Sequence, residues 1–549
     1  MQLKGIDTSF VDVSGSEKHV TEDNIKQLIN HMGFDAEDES SLVEHYQQQE
    51  LSHWLSLLPP VSVFQQSSFY QLEVHLPIDF VTDALVYRVN TECGKTIEEE
   101  VIATDFELLA CNEISDVEFQ LYDVLLSMQL DVGYHQLSLL EKGNEEPLAT
   151  MSLIITPNEC YSPTNIQKSN KLKGSNISLS QLKSGNNWGI GDFSDLNALL
   201  IKSAVAGDDY IHVEHDELHT NNPALFQYSS RRWLNILNID ITVISELQSC
   251  ATLQSKLSSV DWKHKLNRLR ESQEVDYIGV SKLKIIALRT LFQSFINETA
   301  RDEQRYVAFT EFVKKQGDAL KKKATYDALQ YAFHSQETKQ QDWSQTFQSY
   351  DCESTQQWCK DNTEEILFWS YCYWIAEEQL ERSAELADSL AIKIGLSQAL
   401  STGVSKESVD LWADHDLYHE KINVGFVPSS LAEQGGLTEF VALSPNTLYK
   451  TAYRSFIKLL QMKMCHHGML HIEQISELLR VWWVPDGESP TTGAYAYYNV
   501  YDLLNILALE SQRNQCLVVS NSSNIIELPE GMDELLNEMN IYEQESLLS

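Results

Sequence analysis

Residues 468–487 read GMLHIEQISELLRVWWVPDG, and the order of residue types sets out a turn, a strand and a second apolar run. Gly468 marks a helix-to-strand turn after MKMCHH, and the apolar residues that follow suit a strand over about 468–473. Similar strand-then-helix units occur at about 209–213, 391–396 and 515–520, so this part of the chain reads as alternating β and α. A stretch with charged and apolar residues at helical spacing interrupts it over about 260–385 and predicts a large helical insertion. Upstream, residues 57–158 alternate in the manner of strands, as in FYQLEVHL and YHQLSLL, with Gly, Asn and Asp between them. An immunoglobulin-like β-sandwich over 57–160 is the expected form, preceded by short helices in 1–56. A polar linker at 162–176 leads to ISLSQL, 177–182, whose β-branched start predicts the first strand of the alternating region.

Bulk properties agree with several cores. A chain of 549 residues, 43% apolar and 10% aromatic, is long enough for two or three domains. No run of 18 apolar residues occurs, and MQLKGIDTSFVDVSG lacks the basic-then-apolar pattern of a leader, so a cytoplasmic protein is expected. Nine cysteines are scattered without a C-x-x-C pair, which predicts reduced and mostly buried thiols rather than disulfides or a zinc site. A formal charge of −40 repels phosphate backbones and anionic lipid surfaces, so neither nucleic acid nor membrane is an expected partner.

The longer pattern of residues 468–487 resembles the fourth-strand region of the 4-α-glucanotransferases (amylomaltases), glycoside hydrolase family 77, which is close to G-x-L-R-I-D-H-x-x-x-L-x-R-x-W-W-I-P-x-G. The resemblance covers essentially the whole chain: GYHQL at 133–137, PNECYSP at 157–163, SGNNWGIGDFSDLNALL at 184–200, SSRRWLNI at 229–236, FWSYCYWIAEEQL at 368–380, LWAD at 411–414 and GAYAYYNVYDLLNILALES at 493–511 follow in the family's order. It implies a (β/α)8 TIM barrel over 177–549 with the helical insertion walling its cleft. The barrel is expected to be incomplete, because residues 539–549 supply at most part of a sixth strand. An open barrel leaves unpaired N–H and C=O groups, so a protein partner or self-association covering the edge is expected.

The resemblance also implies a retaining mechanism with two carboxylates about 5 Å apart at strand ends. Here the family's Arg, Asp and following His fall on His471, Glu473 and Gln474. Glu473 in the nucleophile slot is one methylene longer than aspartate, and a displacement of about 1 Å can cost on the order of 10²-fold in rate. The acid/base motif G-E-D-L-G falls on residues 520–524, with Asn521 in the donor slot, and an amide cannot give up a proton. Losing general acid catalysis costs about 10²- to 10⁴-fold. The third family carboxylate falls beyond Ser549. N-P-I-H falls on Glu214, His215, Asp216 and Glu217; the aspartate after strand three falls on Ala399; and the acceptor loop GFVPSSLAEQGG has Ser429 for its Asp and no Trp. Substrate-binding positions implied by the family are Trp188, Asp192, Glu217, His471 and Gln474, although Trp188 and Asp192, with Arg231, Arg232 and Trp233, also suit barrel packing and helix capping.

Two clusters gather metal-ligand types. IHVEHDELH, 211–219, matches no defined metal spacing and reads as a solvated acidic loop. In MCHHGMLHIE, 464–473, the turn at Gly468 is expected to point Cys465, His466 and His467 away from His471. No metal or other cofactor is expected. YAYYNVY, 495–501, reads as buried aromatics behind strand four rather than a glucan-stacking platform. The expected function is a catalytically degenerate 4-α-glucanotransferase homologue, acting by interaction, regulation or glucan binding in maltodextrin or glycogen metabolism. The alternative is an active enzyme that transfers α-1,4-glucan segments, with Glu473 as nucleophile and Glu527 or Glu214 as acid.

Overall fold

A computed structural model describes residues 5–7, 9–11, 17–164, 171–214, 230–298, 303–334, 346–427, 434–521 and 531–544. The chain divides into two compact units: residues 1–165, 416–461 and 472–549 form one, and residues 166–415 with 462–471 the other.

In the first unit, eight strands make a β-sandwich. One sheet runs Val61–Gln65, Ala149–Thr156, Gly133–Glu141, Ala84–Asn90, Thr96–Ile102; the other runs Tyr70–Pro77, Val117–Leu126, Glu107–Ile114. Alternation decides which side chains face inward: Leu72, Val74 and Leu76 of one sheet and Leu85, Tyr87 and Val89 of the other are all buried in one core. The helix Val500–Asn514 packs on this sandwich, where the Tyr134 hydroxyl donates to Glu510 Oε1 at 2.5 Å and Gln461 Nε2 donates to the same oxygen at 3.1 Å.

A further sheet of this unit, ordered Gly436–Leu443, Tyr418–Phe426, Arg480–Pro485, Ala494–Tyr497, is antiparallel throughout. Of the aromatics at 495–501, Tyr495 and Tyr498 are buried as expected, and Ala494–Tyr497 pairs as a strand of this separate sheet. Trp482 and Trp483 point to opposite faces. Trp482 meets Tyr495 and Phe10 edge-on, each at 4.9 Å, while Trp483 lies in a core with Ile6, Leu28, Ile422 and Ala494. The opening segment likewise contains more than helices: Ser9–Val11 pairs antiparallel with Glu17–His19 ahead of the helices Glu22–His31 and Glu39–Leu55. Phe10, held against Trp482, gives that ribbon its apolar anchor. Finally, Tyr542–Gln544 pairs parallel with Leu517–Asn521.

The second unit holds the parallel strands Gly174–Ile177, Tyr210–Val213 and Gly395–Leu400 in that order, with Met469–Ile472 next to the last. The first strand lies upstream of its expected place: Ile177 ends it, and ISLSQL continues into a 3-10 turn at Leu179–Gln181. Helices from Ala251–Ser258 to Thr363–Ser389 form the insertion, and 14 buried residues of Thr363–Ser389 make that helix its spine. Apolar residues on nearly all sides fit a helix enclosed by others rather than one lying on a surface. Phe292, Phe295, Phe309, Tyr371 and Trp374 stack against one another in its core.

Candidate functional site

The strand Met469–Ile472 is buried along its whole length. Gly468 is obligatory in front of it, since a Cβ there would sit 1.9 Å from the Ile394 carbonyl oxygen, while its own N–H donates to Leu396 O at 2.9 Å. His471 is 8% exposed and meets His212 edge-on, with ring centres 5.3 Å apart. Register explains the third member: His212 is paired with Ser397 across parallel strands, and His212 Nδ1 lies 2.9 Å from Ser397 Oγ. Burial, together with His471, lowers the His212 pKa from 6.5 to about 4, so the His212 ring is neutral at pH 7. His212, Ser397 and His471 therefore form a His–Ser–His layer across these strands.

Glu473 and Gln474 follow that strand in an exposed turn. Asn521 closes the strand Leu517–Asn521. Glu214 is exposed just past Tyr210–Val213 and accepts from Asn176 Nδ2 at 2.8 Å. Glu217, with His215, Asp216 and His219, lies outside the described residues, as do Ser429 and Glu527. Ala399 is a buried strand residue.

Asp192 and Trp188 occupy structural positions. Asp192 caps the helix Phe193–Ala206: its Oδ1 accepts from the Ser194 and Asp195 amides at 3.0 and 3.1 Å, and Asp195 Oδ2 accepts from the Asp192 amide at 3.1 Å. Burial raises the Asp192 pKa to about 6, opposed by the nearby Lys284. Lys284 is itself fully buried and donates to the carbonyls of Leu237 at 2.6 Å and Ile239 at 2.7 Å; burial lowers its pKa to about 8. Trp188 is buried against Trp262, and Trp233 against Tyr373. Arg231 donates to the Thr402 carbonyl.

Cys465, His466 and His467 are the residues expected to turn away from His471. His467 is buried, with its Nδ1 2.8 Å from the Cys465 carbonyl oxygen. Cys465 and His466 instead approach Glu377 of the helix Thr363–Ser389. That juxtaposition joins positions 88 residues apart, and no local pattern signals it. Of the nine cysteines, Cys160, Cys250, Cys359, Cys372 and Cys516 are buried, Cys93 and Cys111 are exposed, and none forms a disulfide. Among the described residues no helix is long and apolar enough to cross a membrane.

Residues 177–545 match the family model described as 4-alpha-glucanotransferase, and residues 57–157 that of the MalQ N-terminal beta sandwich domain. A curated 4-alpha-glucanotransferase of Haemophilus influenzae is 30% identical over 479 residues, covering 85% of this chain and 66% of that protein. The chain thus spans a little under two thirds of that relative's length. One from Mycobacterium bovis is 24% identical over 540 residues, covering 95% of this chain and 71% of the relative. Among solved structures, the amylomaltase from Corynebacterium glutamicum superposes with a TM-score of 0.82 at 21% identity, over 99% of this chain and 73% of that one. The amylomaltase from Streptococcus agalactiae in complex with acarbose gives 0.53 at 15% identity, over 67% and 72%. With a family match across most of its length and the architecture to go with it, this chain belongs to the 4-alpha-glucanotransferase (amylomaltase) family.

Proposed function

We propose that this chain is a family member that has lost the double-displacement chemistry and keeps recognition of α-1,4-glucan as a binding or regulatory protein. One observation carries the reading: the strand Leu517–Asn521 ends on an amide at the slot where the family resemblance puts the proton donor. Without a proton for the leaving oxygen, a sugar alkoxide must depart unaided, and about 10²- to 10⁴-fold in rate is forfeited. The neutral His212 ring, hydrogen-bonded to Ser397 beside the nucleophile strand, supports the same reading, because an uncharged group there offers little to an oxocarbenium-like transition state. Glucan binding is proposed by family membership; the Streptococcus relative was solved with acarbose. A protein partner or second copy forms part of the proposal. Gly174–Ile177 is paired on one side only among the described residues, which leaves a strand edge of the kind that partners cover.

The test incubates the purified protein with maltotriose and follows glucose and longer maltodextrins. Absence of products with retained maltodextrin binding is expected; measurable turnover abolished in Glu473→Gln overturns the proposal. A second reading, an active glucanotransferase, has its own support. Glu473 is an exposed carboxylate immediately after the strand Met469–Ile472, a strand end of the kind where such folds place their chemistry, and the curated relatives are named as 4-alpha-glucanotransferases. Glu214 is then the acid to replace first, and Glu214→Gln should remove the activity.

A further inference from the structure

Glu377, Cys465 and His466 each offer one ligand atom, and those atoms lie within 4.8 Å of one another. We infer that these three side chains form a zinc-binding site, distinct from the glucan chemistry of the family. The donor set is the first reason: thiolate, imidazole and carboxylate together suit Zn²⁺, and a three-ligand set leaves a fourth position for water.

The distances are the second. Tetrahedral zinc with Zn–S about 2.3 Å, Zn–N about 2.05 Å and Zn–O about 2.0 Å requires N···O of about 3.3 Å and S···O of about 3.5 Å. His466 Nε2 lies 3.4 Å from Glu377 Oε1, and Cys465 Sγ lies 3.9 Å from the same oxygen. The first of these separations already fits, and the second closes with a movement of a few tenths of an ångström at the thiol.

The backbone is the third. Cys465 and His466 follow the helix Arg454–Met464, and His466 has a φ of 64°, a left-handed conformation that glycine adopts more readily than histidine. Strain of this kind at a non-glycine residue is often held where a side chain must be aimed, and here it turns the imidazole toward Glu377. Glu377 is fixed on the long helix Thr363–Ser389, so one ligand is rigid. The His466 and Glu377 side chains are 20% and 24% exposed, which leaves a path for the ion and for the water ligand. On binding, Cys465 coordinates as thiolate and its proton passes to solvent, as does any proton on His466.

The test uses the full chain stripped with EDTA and titrated with Co²⁺, followed by absorption. The expected result is one equivalent bound with a thiolate-to-cobalt charge-transfer band, displaced by one equivalent of Zn²⁺. The band should persist in the Cys93→Ser/Cys111→Ser double variant, vanish in Cys465→Ser and need at least tenfold more Co²⁺ in Glu377→Gln. A full chain without the band, or a band that survives Cys465→Ser, overturns the inference. Alkylation of the unmutated protein guards against misfolded variants. Zn²⁺ should protect Cys465 from iodoacetamide by mass spectrometry, and equal labelling with and without Zn²⁺ refutes the site.

Discussion

The histidine layer makes the protein acid-sensitive by an amount that follows from its geometry. His212 is held neutral by burial and by His471, with its pKa lowered from 6.5 to about 4, and Ser397 Oγ is its hydrogen-bond partner. The unfolded chain takes up a proton at this residue as pH falls through 6.5, while the folded chain waits until about 4, so stability present above pH 6.5 is lost on acidification. The full difference is about 3 kcal/mol, of which about 2 kcal/mol is gone by pH 5. Urea unfolding followed by tryptophan fluorescence at pH 7.5 and pH 5, for the unmutated chain and for His212→Gln, isolates the contribution. Glutamine can still hydrogen-bond Ser397 and does not titrate. The variant should therefore lose about 2 kcal/mol less than the unmutated chain between the two pH values. Equal losses, within about 0.5 kcal/mol, would refute the argument.

Substitutions at three further positions probe the packing within each unit. Gly468→Ala drives a methyl to 1.9 Å from the Ile394 carbonyl oxygen and should cost about 1–3 kcal/mol, seen as a lowered Tm. Asp192→Ala removes both capping bonds of the helix Phe193–Ala206 and should cost about 1–2 kcal/mol, whereas Asp192→Asn keeps the acceptor and should cost less than half as much; equal costs would contradict the capping role. Trp482→Ala empties a site enclosed by Tyr495 and Phe10 and should cost about 3–5 kcal/mol in urea unfolding.

Much of the architecture is legible in residue order because its periods are clean. Alternation in FYQLEVHL announces a strand with one buried face, and Tyr70–Pro77 shows that pattern. Short apolar runs announce the parallel strands: 209–213 was the reading and Tyr210–Val213 is the strand. The sheet around Trp482 was missed for a physical reason. Tyr418–Phe426 carries exposed Glu420 and Lys421 in its middle and has two register shifts against Gly436–Leu443, so its alternation is broken where a window would look for it. At the site, residue order gives the local partners, such as Asp192 with Asp195 three positions on. It is silent on His212 with Ser397, and on Glu377 with Cys465 and His466, because only the strand register and the helix packing bring those together.

Lys284 belongs to the helix Tyr277–Glu298 of the insertion, yet it donates to carbonyls at Leu237 and Ile239, upstream of that insertion. Cutting the insertion down to a short loop would strip two backbone oxygens of a charged donor and leave Asp192 and Asp240 without the cation they face. The insertion is thus a strut and not an ornament. An effort to shrink this protein to a minimal scaffold would have to begin elsewhere, or supply a replacement cation at the same place.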